Sequence, residues 1–425
     1  MIRFFNGKVL TLDGNSLITD SEVWTDKDKI SFVGKPDAVQ LEKADFEREY
    51  DLKGNLLMPS FKNAHTHSAM TFLRSYADDL PLQDWLFKQV FPMEAKLDGE
   101  KVYWLTKLAI LEYLSTGCTA AFDMYFELDD YVKACVESGF RTVLCGSVSG
   151  DESACERLEE NYNKFNGKND LVSFMLGFHA EYTCEKALLE KVGKLAKKYK
   201  APVATHNSET AKEVCECIEK YGCTPTQLFD SLGIYDYGGA GFHCVYLDDN
   251  DIEIFRDKNV WAVSCPASNL KLASGIAPVE KLRCQGINIA LGTDGPASNN
   301  CLDMFREMFL LTALQKVKEN DASACPAEFA LVSATVGGAR AMGLTDCDTI
   351  AVGKKADLVV INLDRPNMQP MNNIVKNIVY SGSKENVKLT VCNGKILYED
   401  GEFNIGENAQ TIYRKANEII NSMKE

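Results

Sequence analysis

Eight short, β-prone apolar runs recur along the chain, at 56–63, 118–123, 142–146, 172–178, 201–205, 239–242, 260–265 and 288–293. Over most of that span they alternate with amphipathic stretches of helical length. Parallel strands need a long crossover between them, so this alternation predicts an α/β fold with a parallel sheet. Eight such units predict a (β/α)₈ barrel. In a barrel the carboxyl ends of all the strands meet on one rim, where residues distant in sequence converge.

The polar residues that close those runs are not a random sample. All five histidines of the chain, His65, His67, His179, His206 and His243, stand at the carboxyl end of an apolar run, and Asp294 follows the last one. In the barrel they fall at the ends of strands one, four, five, six and eight. His65 and His67 are two residues apart, so on a strand end their side chains point the same way and can reach one cation. With His206 and Asp294 they supply three imidazoles and a carboxylate, a first shell for one divalent metal, Zn²⁺ in the first instance and Fe²⁺ as the alternative. Two-metal barrel hydrolases need a bridging ligand, commonly a modified lysine near the end of strand four. The run 171–179 contains no lysine, so a single ion is expected.

Such an ion acidifies a bound water, and Asp294, itself a ligand, can accept the proton. Hydrolysis of an amidine-like C–NH₂ also needs a proton delivered to the ring nitrogen. Glu209, three residues after His206, is placed to be that general acid and base. His243 is expected to hold or polarise the attacking water. His179 is left for substrate contact, and Glu209 and Asp294 also face the substrate.

The flanks follow another pattern. Residues 1–57 and 349–425 read as short strands with turn signals such as Asp13-Gly14 and Lys53-Gly54-Asn55, ending in a helix near 405–424. The two ends are expected to pair into one small composite β-sandwich domain beside the barrel of 58–348. A formal net charge of −15 argues against a nucleic-acid or anionic-membrane surface. No run approaches the length of a membrane helix. The fifteen cysteines include no CxxC pair, which suits small apolar residues in a reducing cytoplasm. The expected partner is a small molecule, and a homo-oligomer is left open.

At LLMPSFKNAHTHSAMTFLRSYADDLPLQDWL (56–86), MEAKL (93–97), HNSET (206–210), CPASNLKLASGIAPV (265–279) and LGTDGPASNNCLDMF (291–305) the chain resembles the amidohydrolase superfamily. The resemblance is to its branch of 5-methylthioadenosine/S-adenosylhomocysteine deaminases, and it extends through GKKADLVV and VCNGK near the carboxyl end. It implies a metal on His65, His67, His206 and Asp294, with Glu209 and His243 as the catalytic pair. It also implies that Trp85 and Glu94 lie on a loop covering a nucleoside, Glu94 accepting from ribose hydroxyls, and that Arg157 contacts the substrate. The family usually carries an arginine soon after strand three, where this chain reads Leu144-Cys145-Gly146-Ser147. That departure favours adenosine-type substrates with a neutral 5′ group, such as methylthioadenosine or 5′-deoxyadenosine, over adenosylhomocysteine. The competing expectations are another aminated heterocycle (a purine base, a pterin, or a triazine losing chloride or an amine) and a barrel that binds a nucleoside without catalysis.

Overall fold

The computed structural model describes residues 1–14, 18–80 and 82–424; residues 15–17, 81 and 425 lie outside the described residues. Eight strands, Phe61–Thr66, Cys118–Met124, Arg141–Cys145, Val172–Gly177, Val203–Asn207, Gly239–His243, Val260–Ser264 and Ile289–Leu291, pair side by side in chain order. Every pairing is parallel. Helices cover the outside, which explains why the strands read as near-continuous apolar runs rather than alternating ones. The helix Lys186–Tyr199 shows the pattern, burying Leu188, Leu189, Val192, Leu195 and Ala196 on one stripe.

The seam between strands eight and one is closed by single bonds rather than by a ladder. The Asp294 amide donates to the His65 carbonyl at 2.9 Å. The Asn63 side chain donates to Thr293 Oγ1 at 2.7 Å and accepts from the Thr293 amide at 2.9 Å. This closure brings the first and last strand ends, and with them His65 and Asp294, into contact.

The run 56–63 is two strands, not one. Leu56–Pro59 pairs antiparallel with Leu358–Ile361 in a separate sheet, and the barrel strand starts only at Phe61. The Ser60 amide still donates to the Asp357 carbonyl at 3.1 Å, whereas the Phe61 amide donates to the Gly117 carbonyl at 3.0 Å, so the chain leaves one sheet and enters the other just after Pro59. In consequence His65 lies within strand one, with both faces buried, and His67 lies just past its end.

Two further sheets flank the barrel. Ile2–Phe5, Glu22–Asp26, Lys29–Gly34 and Arg48–Asp51 form a four-stranded sheet from the amino end alone. Seven strands from both ends form the other, in which Leu56–Pro59 bridges Lys8–Leu10 and Leu358–Ile361. Phe4, Val9, Val23, Leu57, Leu358, Val360 and Leu389 share one core. The terminal helix, Ala409–Lys424, does not join these sheets; it packs on the barrel helix Gly99–Ser115 and buries Ile412 and Ala416. All fifteen cysteines are free, most of them buried, and no helix among the described residues is long and apolar enough to cross a membrane.

Candidate metal centre

The strand ends bring His65, His67, His179, His206, His243 and Asp294 together. The His65 ring centroid lies 4.9 Å from those of His67 and His206 and 5.6 Å from that of His243. The backbone turns sharply to aim two of these side chains inward: His243 and Asp294 have φ of 71° and 60°. Non-glycine residues in the left-handed region carry strain that persists where the surrounding structure holds it.

Three of the imidazoles are oriented by carbonyl oxygens, which can only accept. His67 Nδ1 donates to Met124 O at 2.7 Å, His206 Nδ1 to His179 O at 2.6 Å, and His243 Nδ1 to Asn269 Oδ1 at 2.7 Å. Each bond leaves the Nε2 lone pair free for the centre of the mouth, as metal-ligating histidines require. His65 is fully buried and neither ring nitrogen has a hydrogen-bond partner. Burial drives its pKa down to about 3 against the pull of Asp294, so it is a neutral donor. A buried imidazole left unpaired in this way fits a cation that takes its lone pair.

Asp294 completes the set. Its Oδ1 lies 3.4 Å from His65 Nε2 and 3.3 Å from His67 Nε2. Burial alone would raise this carboxyl, but His65 and His67 hold it well below the ordinary range. Oδ2 accepts from Ser268 Oγ at 2.6 Å and Ser298 Oγ at 2.7 Å, and the Gly295 amide donates to Oδ1 at 2.8 Å. The donor atoms form two triads that share His65: His65, His67 and Asp294, and His65, His206 and His243, each within 4.8 Å. The expected quartet of His65, His67, His206 and Asp294 spans both, with His243 beside it.

Glu209 is fixed from two sides. Ser274 Oγ donates to its Oε1 at 2.9 Å, and its Oε2 lies 3.8 Å from His243 Nε2. Its backbone amide donates at 2.8 Å to Glu213 Oε2, and Ser208 N donates to Glu213 Oε1 at 3.0 Å. Glu213 also forms a capping box with Thr210 at the start of the helix Ala211–Tyr221. The turn that carries Glu209 is thus bound to the first turn of its own helix.

A cavity of about 460 Å³ opens over these residues. His67, His206, Glu209, His243 and Asp294 form its floor, His179 a side, and Trp85, Phe87, Phe91 and Glu94 a wall contributed by the segment after strand one. Glu94 is half-buried with its Oε1 fully covered, and desolvation lifts its pKa to about 7 against the nearby Tyr125 phenol and His67. No lysine or arginine among the described residues lines this space. Arg157, expected as a substrate contact, is not among the residues lining this cavity; it is exposed on the helix Ala154–Phe165. That helix buries Cys155, Leu158 and Phe165, and position 157 falls off the stripe they define. Five further residues, which no motif in the sequence marks for a role, hold the others: Asn269, Ser268, Ser274, Ser298 and Glu213. The first three sit within the CPASNLKLASG segment, whose run of small polar residues after strand seven was the available signal.

The model of the amidohydrolase family matches residues 56–397. A 5-methylthioadenosine/S-adenosylhomocysteine deaminase of Caldanaerobacter subterraneus subsp. tengcongensis is 41% identical over 407 residues, 93% of each chain. Among solved structures, an adenosine deaminase from Xanthomonas campestris with bound zinc superposes with a TM-score of 0.94 at 32% identity, covering 100% of this chain and 98% of the other. Atrazine chlorohydrolase from Arthrobacter aurescens, complexed with zinc, shares the fold, with a TM-score of 0.90 at 20% identity over 99% of this chain and 100% of the other.

Proposed function

Because the chain belongs to the amidohydrolase family, we propose that its barrel mouth deaminates an adenosine-type nucleoside bearing a neutral 5′ group. The chain is a hydrolase of C–N bonds, a deaminase, and it uses a divalent metal. We assign the metal to His65, His67, His206 and Asp294, with zinc as the ion. When bound, such an ion supplies acidification of a water at neutral pH.

The protein groups do the rest of the work. Glu209 takes a proton from the attacking water and delivers it to the ring nitrogen, which makes the adjacent carbon electrophilic. As the C–NH₂ bond breaks, Asp294 passes the second proton of that water to the leaving amino group, while the first stays on the ring nitrogen, so that water and nucleoside give the inosine analogue and ammonia. His243, its Nδ1 tied to Asn269 and its Nε2 3.8 Å from Glu209, orients the water. His179 and Trp85 contact the ring system, and Glu94 accepts from the sugar.

The observation that carries the substrate reading is the cavity lining. A half-buried carboxylate suited to sugar hydroxyls lines the same cavity as the proton-transfer pair, and no lysine or arginine among the described residues lines the space for an anionic tail. A carboxylate-bearing 5′ group would enter beside Glu94, Glu209 and Asp294 without a partner, an expensive burial. Loss of chloride from a triazine needs no proton donor, so a buried, doubly fixed Glu209 favours an amino leaving group. The test is ammonia release, with the change from adenine to hypoxanthine absorbance, across adenosine, methylthioadenosine, 5′-deoxyadenosine, adenosylhomocysteine, guanine and an aminotriazine. Highest kcat/KM on the neutral 5′ nucleosides supports the reading; preference for a base or a triazine overturns it.

A further inference from the structure

We infer that Tyr125 reads the substrate together with Glu94, its phenol donating to one hydroxyl of a vicinal diol while the Glu94 carboxylate accepts from the neighbouring one. The inference rests on the nucleoside reading above and adds a residue to it.

Four tyrosines are buried among the described residues: Tyr113, Tyr125, Tyr131 and Tyr235. Three have partners for their hydroxyls. Tyr113 bonds Thr66 Oγ1 at 2.8 Å and Ser68 Oγ at 2.9 Å, Tyr131 bonds Thr142 Oγ1 at 3.1 Å, and Tyr235 accepts from Asn207 Nδ2 at 3.0 Å. Tyr125 is the exception, for its hydroxyl is buried without a partner, and it is also the only one of the four that lines the cavity. On the same cavity Glu94 Oε1 is likewise buried and unpartnered. The two groups are close enough for each to act on the other's ionisation, yet they do not satisfy one another with a hydrogen bond of ordinary geometry.

Native proteins rarely leave buried polar atoms unpaired, and two on residues that line one cavity point to a ligand that pairs both. Their chemistry restricts that ligand. An ionised carboxylate only accepts, whereas a phenol donates readily. A cis-diol offers what both need, because each hydroxyl can donate and accept. A free base or a triazine offers neither hydroxyl.

Tyr125 is also held rigidly enough to discriminate. It follows Met124, whose carbonyl accepts from His67, and its own carbonyl accepts from Ser147 Oγ at 2.8 Å. Its ring stacks on Phe126 with centroids 4.4 Å apart. The phenol position is therefore fixed from the main chain on both sides.

The experiment compares Tyr125→Phe with wild type, each with its metal content measured, on a neutral 5′ ribonucleoside and on its 2′-deoxy and 3′-deoxy analogues. The expected result is that kcat/KM of Y125F falls about tenfold on the ribonucleoside, mainly through KM, the equivalent of one hydrogen bond. On the analogue lacking the hydroxyl that Tyr125 contacts it stays unchanged, so the preference for ribose collapses. Nucleoside turnover with an unchanged ribo-to-deoxy ratio in Y125F overturns the assignment of Tyr125 alone. Turnover of a free base but no nucleoside overturns the nucleoside reading and this inference with it. Should Y125F not fold, the wild-type series decides: equal kcat/KM for the ribonucleoside and both deoxy analogues overturns diol recognition, and a loss on both supports it.

Discussion

His243 and Glu209 face each other across the barrel mouth, with Nε2 of the imidazole 3.8 Å from Oε2 of the carboxylate and each side chain held from behind, His243 by Asn269 and Glu209 by Ser274. The gap is too long for a direct hydrogen bond and leaves both atoms free to bond one group seated beside them. If that group is the attacking water, removing the proton acceptor should stop chemistry without emptying the site. Glu209→Gln should lower kcat about 10³-fold while metal content and product-analogue binding stay near wild type. A Gln variant with undiminished turnover would remove Glu209 from the mechanism.

Asn269 is the less obvious half of that arrangement. Its Oδ1 accepts from His243 Nδ1 at 2.7 Å and so fixes which nitrogen keeps its lone pair. Asn269→Ala should lower kcat by about 10- to 100-fold, the usual effect of losing an orienting partner. The loss should be smaller than that of Glu209→Gln, because the imidazole remains. Steady-state kinetics of the two variants and their combination would rank them, and an N269A enzyme as slow as E209Q would contradict this order.

Glu307 works at one further remove. It is fully buried, accepts from the Ala267 amide at 3.0 Å and from Asn299 Nδ2 at 2.8 Å, and Asn299 in turn donates to the Thr293 carbonyl at 2.6 Å. It thus ties the loop that presents Ser268 to the loop that presents Ser298, the two hydroxyls on Asp294 Oδ2. Glu307→Ala should weaken metal retention about 10- to 100-fold in a chelator competition. Unchanged metal affinity with lowered thermal stability would show that Glu307 supports the fold only.

These supporting residues mark the limit of what the sequence made legible. The histidines and Asp294 could be found because they are chemically distinctive and stand at the ends of periodic apolar runs, so barrel geometry alone predicts their meeting. Ser268, Ser298 and Asn269 are short polar residues of a kind common in any loop; only the fold shows that they point at Asp294 and His243. The division of 56–63 near Pro59 is not legible in the sequence because both halves are buried throughout. Arg157 shows a further limit: a match across a gapped loop fixes residue type but not helix phase, and the phase set by Cys155 and Leu158 turns it to solvent.

Chelation tests the centre as a whole. His65 is buried with both ring nitrogens unpartnered, and Asp294 is shared with His67, so a cation bound there stabilises the folded state by mass action. Exhaustive chelation should abolish ammonia release and lower Tm, and adding back Zn²⁺ or Fe²⁺ should restore both. The ion that restores full activity at one equivalent per chain identifies the native metal. Full activity in demonstrably metal-free protein would refute the assignment of His65, His67, His206 and Asp294.

At the opposite end of the barrel the chain holds a second cluster, with a structural rather than a chemical consequence. Asp357, next to the strand Leu358–Ile361, accepts from Arg141 Nε at 3.0 Å and Nη2 at 3.1 Å and from the Asn393 amide at 2.7 Å, and Lys62 Nζ lies 3.9 Å away. Lys62 and Arg141 belong to barrel strands one and three, so this carboxylate ties the barrel floor to the flanking sheet. Burial would raise its pKa, but Arg141 and Lys62 hold it at about 2. The folded value lies below the ordinary aspartate value of about 4, so the contribution to stability is complete above pH ~4 and fades as the pH falls toward 2. Asp357→Asn leaves the buried Arg141 without its counter-charge and should cost roughly 3–5 kcal/mol. Denaturant unfolding at pH 7 measures that loss, and repeating it at lower pH should show the difference between wild type and D357N narrowing below pH ~4. A difference that stays constant down to pH ~2.5 would mean that Asp357 acts through packing and hydrogen bonds rather than through its charge.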